Sequence, residues 1–148
     1  MIEVSLKAGD IFTWKNYPLY MDEFKSQRWL FYLGNHSMEA LVYQITTTTQ
    51  FQHYTNNGKR IKHNFIKIPA GMGGLEKESV LDLTQYFESI PESLLNKCKA
   101  DIEKKGSFTQ DYINRFVNHL KKDPHIIQKI KKDIYGYLKD AGFKISVN

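Results

Sequence analysis

The sequence predicts an α+β protein, with short strands up to about Ile90 and helices after it. Three observations carry this. Before Ile90 the apolar residues fall in short runs broken by turn signals. After Ile90 they recur at three- and four-residue spacing. At 148 residues and 41% hydrophobic content, the chain matches one compact domain built on a single core.

Asp10-Ile11-Phe12-Thr13-Trp14 alternates polar and apolar residues after a turn at Ala8-Gly9, which predicts a first strand. Trp29 to Leu33 is almost continuously apolar and stops at Gly34-Asn35, as a buried strand does. Leu41 to Gln52 predicts a third strand. It ends in Ile45-Thr46-Thr47-Thr48-Thr49-Gln50-Phe51-Gln52, where branched Cβ atoms suit the pleat. Four threonines exceed what packing needs, because alternate residues face opposite sides of a sheet. The run sets hydroxyls and amides at a strand terminus, within reach of a ligand; it equally suits an edge strand blunted against aggregation. Asn57-Gly58 is the strongest hairpin signal, and Lys59 to Ile68 returns as a fourth strand. A glycine-rich loop from Pro69 to Gly74 leads to a fifth, Ser79 to Leu83. Strands so short and close suggest a small barrel or sandwich, not βαβ units.

Three helices are expected beyond this point. Ser89 or Pro91 opens the first, which runs through Leu94, Leu95, Cys98 and Ile102 to a stop near Gly106. Phe108, Tyr112, Ile113, Phe116, Val117 and Leu120 stripe the second, capped by Ser107 or Thr109. Asp123-Pro124 begins the third, with Ile127, Ile130, Ile134 and Leu138 on one face and Gly142 past its end. The expected organisation is a single domain over 1–148, with a strand part at 7–90 and a helical part at 91–145.

Composition narrows the function classes. No run of about 18 apolar residues offers a membrane span, and Met1 to Ser5 lacks the pattern of a secretory signal. Cys98 is the single cysteine, so no internal disulfide forms and a reducing, cytoplasmic location is expected. Cys98 itself reads as a small buried residue. Residues 1–90 carry nine Lys/Arg and nine Asp/Glu, whereas 91–148 carry twelve and seven. The whole +5 excess therefore lies in the C-terminal part. Such a basic region suits nucleic acid, or else lysines that solvate helix surfaces.

Motifs exclude several chemistries. The histidines at 36, 53, 63, 119 and 125 show no metal-ligand spacing. Gly71-Met72-Gly73-Gly74 lacks the Gly-Lys-Ser/Thr ending of a phosphate loop, and no Gly-x-Ser-x-Gly element is present. What is left suits a phosphodiester handled without a metal or other cofactor. Arg28 enters a buried strand, Thr46 to Thr49 close the next, and His53 and His63 flank the Asn-Gly turn.

The order of these pieces resembles the MazF/PemK/Kid family of toxin endoribonucleases. The matching residues are Gly9-Asp10-Ile11-Phe12, Arg28 before Trp29-Leu30-Phe31-Tyr32-Leu33, Ile45 with its threonines, and Gly74-Leu75 followed by Ser79-Val80-Leu81. They span roughly residues 7–90. Trp29 stands where the family has proline, and three C-terminal helices replace about two. The resemblance implies a small SH3-like barrel of about five to seven strands, followed by two or three helices. It implies that Arg28 and a threonine act on the scissile phosphate, with Thr48 the first choice because Thr48-Thr49-Gln50-Phe51-Gln52 matches some members, and Thr46 the other. RNA contacts are then expected from Gln50, His53, His63, Trp29, Lys59 and Arg60. A guanidinium matches phosphate oxygens with a planar fork of donors and stays charged at working pH. RNA supplies its own nucleophile, the 2′-hydroxyl, so the products would be a 2′,3′-cyclic phosphate and a 5′-hydroxyl; His53 or His63 could serve as base. The implied partners are RNA, a small acidic antitoxin and a second copy of the chain. The alternatives are a non-catalytic nucleic-acid-binding barrel using Trp14, Trp29 and Tyr54, or a protein-interaction domain in which Arg28 is a salt-bridged residue.

Overall fold

The computed structural model describes residues 4–18, 27–46, 65–83 and 87–146. Its centre is the hairpin of β2 (Arg28–His36) and β3 (Glu39–Thr46). Ser37 and Met38 make the two-residue turn with φ of 51° and 66°, so both central residues are left-handed. Tight hairpin turns require that geometry, usually from Asn-Gly. The first strand, β1 (Asp10–Trp14), pairs antiparallel with β2. On the other flank β3 pairs with β5 (Ser79–Asp82) at one end and β6 (Glu88–Pro91) at the other. β4 (Phe65–Ile68) lies outside β5, and β7 (Ile102–Ser107) lies outside β1. Among the described residues the result is an α+β fold in which a curled antiparallel sheet of seven strands is followed by C-terminal helices.

The strands expected at Asp10–Trp14 and from Trp29, Leu41 and Ser79 are all present. The fourth is described only as Phe65–Ile68. Thr47 to Asn64, including the Asn57-Gly58 turn, lies outside the described residues. The helix expected from Pro91 to Gly106 is corrected. Its span holds a short α1 (Glu92–Lys97), a 3-10 turn at Lys99–Asp101 and then β7. Pro91 does adjoin a helix start, but it also ends β6 opposite Glu39. Ile102 to Ser107 becomes extended because it pairs with the outer edge of β1, Ile11 opposite Gly106 and Trp14 opposite Ile102. The sheet therefore reaches beyond residue 90. Cys98 closes α1 and is half-buried. The second helix, α2 (Gln110–Lys122), follows Thr109. The third, α3 (Gln128–Asp140), starts after Ile127, later than Asp123-Pro124 implies, and Gly142 follows it with φ of 104°.

Successive strand residues face opposite sides, and here both sides are buried. Phe31, Leu33, Tyr43 and Ile45 join Phe116, Leu120, Ile134 and Leu138 in the core under α2 and α3. Phe12, Trp14, Leu30, Tyr32 and Val42 join Ile90 and Leu95 in a second core on the other face. That double burial is why β2 reads as a continuous apolar run. The bulge between Tyr32 and Gly34 sits under α3. A Cβ on Gly34 would come within 2.3 Å of the Tyr137 ring, so only glycine admits α3 this close. The glycine-rich loop does related work. A Cβ on Gly106 would meet the Gly73 backbone at 2.7 Å, so loop and β7 touch main chain to main chain.

Candidate functional site

The open end of the β2–β3 hairpin, opposite the Ser37–Met38 turn, gathers polar groups on the face of the second core. Arg28 shares that face with Leu30 and Tyr32, and Thr46 shares it with Gln44 and Val42. Trp29 pairs with Ile45 and Leu30 with Gln44. The same register carried one residue further sets Arg28 opposite Thr46. Directly opposed Cβ atoms lie about 4.5–5.5 Å apart. Arg28 is flanked on its other side by Trp14 of β1, and Thr46 by Val80 of β5. Arg28, Thr46 and Gln44 are all half-buried, whereas Trp14 is fully buried.

A carboxylate completes the cluster. Glu88, at the start of β6, accepts hydrogen bonds from Tyr17 Oη at 2.5 Å and from Gln44 Nε2 at 2.5 Å. Tyr17 is buried and its ring meets Trp14 edge-on, centroids 5.2 Å apart. The indole Nε1 of Trp14 is itself buried, with no hydrogen-bond partner among the described residues. Glu88 was not legible as a site residue, because it joins Gln44 only through β3–β6 pairing. Its one local signal is a glutamate closing the Phe87-Glu88 pair beside an apolar strand.

Of the residues expected at the site, Arg28 and Thr46 stand together as above. Trp29 faces the opposite way and packs against the core under the helices. Thr48, Gln50, His53, Lys59, Arg60 and His63 lie outside the described residues. Trp14, invoked for base stacking in the binding alternative, has no exposed surface on which to stack.

The opposite face carries a cleft of about 470 Å³ between β3 and the end of α2. Tyr43, Leu83 and Phe116 line it together with His119, Lys122 and His125. Burial, reinforced by the Lys122 charge, pushes the His119 imidazole below its ordinary value. At the closed end of the hairpin, His36 Nδ1 lies 3.2 Å from Tyr137 Oη and 3.4 Å from Asp133 Oδ2, fastening α3 to β2. The helix lysines Lys121, Lys122, Lys129, Lys132 and Lys139 are exposed. Lys131 is the buried exception, donating from Nζ to the Lys121 carbonyl at the end of α2. No helix of the described residues is long and apolar enough to cross a membrane. Among those residues no group of three His, Cys, Asp or Glu assembles as a metal site.

No protein-family model matches the chain, and no curated protein matches it in sequence.

Proposed function

We propose that the chain is a metal-independent endoribonuclease of SH3-like barrel type, the toxin of a pair whose partner is a small acidic antitoxin. It cleaves single-stranded RNA by attack of the 2′-hydroxyl and leaves a 2′,3′-cyclic phosphate. One observation supports the reading above the others: the β2–β3 register, carried one residue past the Trp29–Ile45 pair, puts Arg28 opposite Thr46, and both residues are half-buried. Arg28 neutralises the charge that develops on the phosphorane oxygens, and a threonine fixes the phosphate with one hydrogen bond. Removing one such donor typically costs 10²–10³ in rate, about 3–4 kcal/mol.

The test is cleavage of single-stranded RNA in EDTA with analysis of the product ends. Wild-type protein is expected to cut and leave cyclic phosphates. Arg28→Ala is expected to lose about 10²–10³ in rate. Thr46→Val and Thr48→Val, assayed side by side, identify the threonine on the phosphate. Intact RNA with the wild-type protein sinks the reading. A second reading, a nucleic-acid-binding domain without catalysis, is favoured by the cleft at the end of α2, whose lining includes the exposed Lys122 and His125. Salt-sensitive binding without cleavage, lost in Lys122→Ala, supports that alternative.

A further inference from the structure

We infer that Glu88 is the general base of this reaction, an inference that rests on the endoribonuclease reading. Gln44 and Thr46 are two residues apart on one face of β3, so their side chains stand about 7 Å apart. Gln44 is the diagonal neighbour of Arg28 across the strand pair, again about 7–8 Å away. Glu88, bonded to Gln44, is thereby held at the margin of the Arg28–Thr46 patch. A phosphate on Arg28 and Thr46 carries its neighbouring 2′-hydroxyl a few ångströms to one side, and base catalysis by Glu88 requires that side to be the Gln44 margin.

The chemistry of the contacts suits the role. Tyr17 and Gln44 donate to different oxygens of Glu88, which fixes the plane of the carboxylate. A carboxylate has about four acceptor positions, so each oxygen keeps room for a further hydroxyl. Glu88 is half-buried, whereas Asp82, on β5, is buried. The described histidines stand elsewhere. His36 lies eight residues along β2 from Arg28, about 26 Å away. His119 and His125 line the cleft on the other face.

In the step itself, Glu88 takes the 2′-hydroxyl proton as the 2′-oxygen bonds to phosphorus. The bond from phosphorus to the 5′-oxygen breaks with its electron pair, and that oxygen takes a proton from water. Glu88 then releases its proton to solvent, so no net charge or atom is left over.

The experiment measures the pH–rate profile of RNA cleavage in EDTA for wild type, Arg28→Ala, Glu88→Gln and Glu88→Ala. Glu88→Gln is expected to lose about 10²–10⁴ in rate together with the acid limb of the profile. Glu88→Ala is expected to regain activity in added formate, an outcome that a purely structural role would not produce. Because rescue requires a folded protein, it also separates lost chemistry from lost structure. A Glu88→Gln enzyme with near-wild-type rate and an unchanged acid limb, alongside an inactive Arg28→Ala, overturns the base and leaves the nuclease standing. Absence of formate rescue in a Glu88→Ala protein that melts like wild type also overturns it. Wild-type protein that leaves RNA intact overturns both.

Discussion

The two ends of the β2–β3 hairpin contrast sharply. At the closed end, Gly34 receives the Tyr137 ring and His36 meets Tyr137 and Asp133, so polar groups are used to fasten one element to another. At the open end, Arg28, Thr46 and Gln44 sit half-exposed, and Glu88 is oriented by two donors without being enclosed. The same two strands thus provide an anchored end and an end whose chemistry faces outward. A rigid anchor is what lets a site be held to the fraction of an ångström that catalysis needs.

Substitutions at the two ends should therefore separate stability from activity. On the proposed endoribonuclease reading the largest effect belongs to the open end, where Arg28→Ala is expected to cost about 3–4 kcal/mol in the barrier. At the closed end Gly34→Ala drives a methyl into the Tyr137 ring, with an expected loss of about 3 kcal/mol. For a chain of this size that is a fall of about 6–12 °C in Tm. An unchanged Tm in Gly34→Ala, or an unchanged cleavage rate in Arg28→Ala, breaks the contrast.

The pH dependence sharpens it. Burial first, then the charges of Glu92, Tyr137 and Asp10, push the Tyr32 hydroxyl up to about 12. An unfolded tyrosine ionises near 10, so the folded state holds the proton more tightly. Its stabilisation is complete below pH about 10 and is lost as pH rises towards about 12. The loss is up to about 2 kcal/mol after solvent screening, and Tyr32→Phe should abolish that segment of the stability curve. His119 carries the opposite sign: its lowered value favours the neutral ring, so its contribution is present above pH about 6.5 and falls away as pH drops. Comparing wild type with His119→Gln between neutral and acidic pH isolates it, and titration of the ring by NMR should place its midpoint below the ordinary histidine range.

The smallest effect is at the turn. Met38 is 72% exposed with φ of 66°, so replacing it relieves strain without removing packing. Met38→Gly is expected to stabilise by about 0.5 kcal/mol once glycine's greater unfolded-state freedom is counted. Chemical denaturation with an unchanged slope is the check.

How far the molecule was legible depends on how local each signal was. β1 and β2 announce themselves by alternation and by an apolar run, and α2 and α3 by stripes whose members line the core, except Ile127, which precedes α3 and is exposed. β7 could not be read this way. Ile102-Glu103-Lys104-Lys105-Gly106-Ser107 has a single apolar residue, and its extended form comes from pairing with β1, some 90 residues earlier. The helical spacing of Leu94, Leu95 and Cys98 was real, but it supports only one short helix before the chain turns back to the sheet. The site divides along the same line. Arg28 and Thr46 are visible as residues flanking strand-like runs, while Glu88 meets Gln44 through a β3–β6 pairing that no local pattern encodes.

The main-chain contact between Gly73 and Gly106 has a consequence for biogenesis. Until the polypeptide is made beyond residue 107, the outer edge of β1 presents an unpaired row of amides and carbonyls, and the loop at Gly73 lacks its main-chain contact with Gly106. A nascent chain halted before that point is open to edge-to-edge association, so closure awaits a late-synthesised strand that carries lysines at its centre.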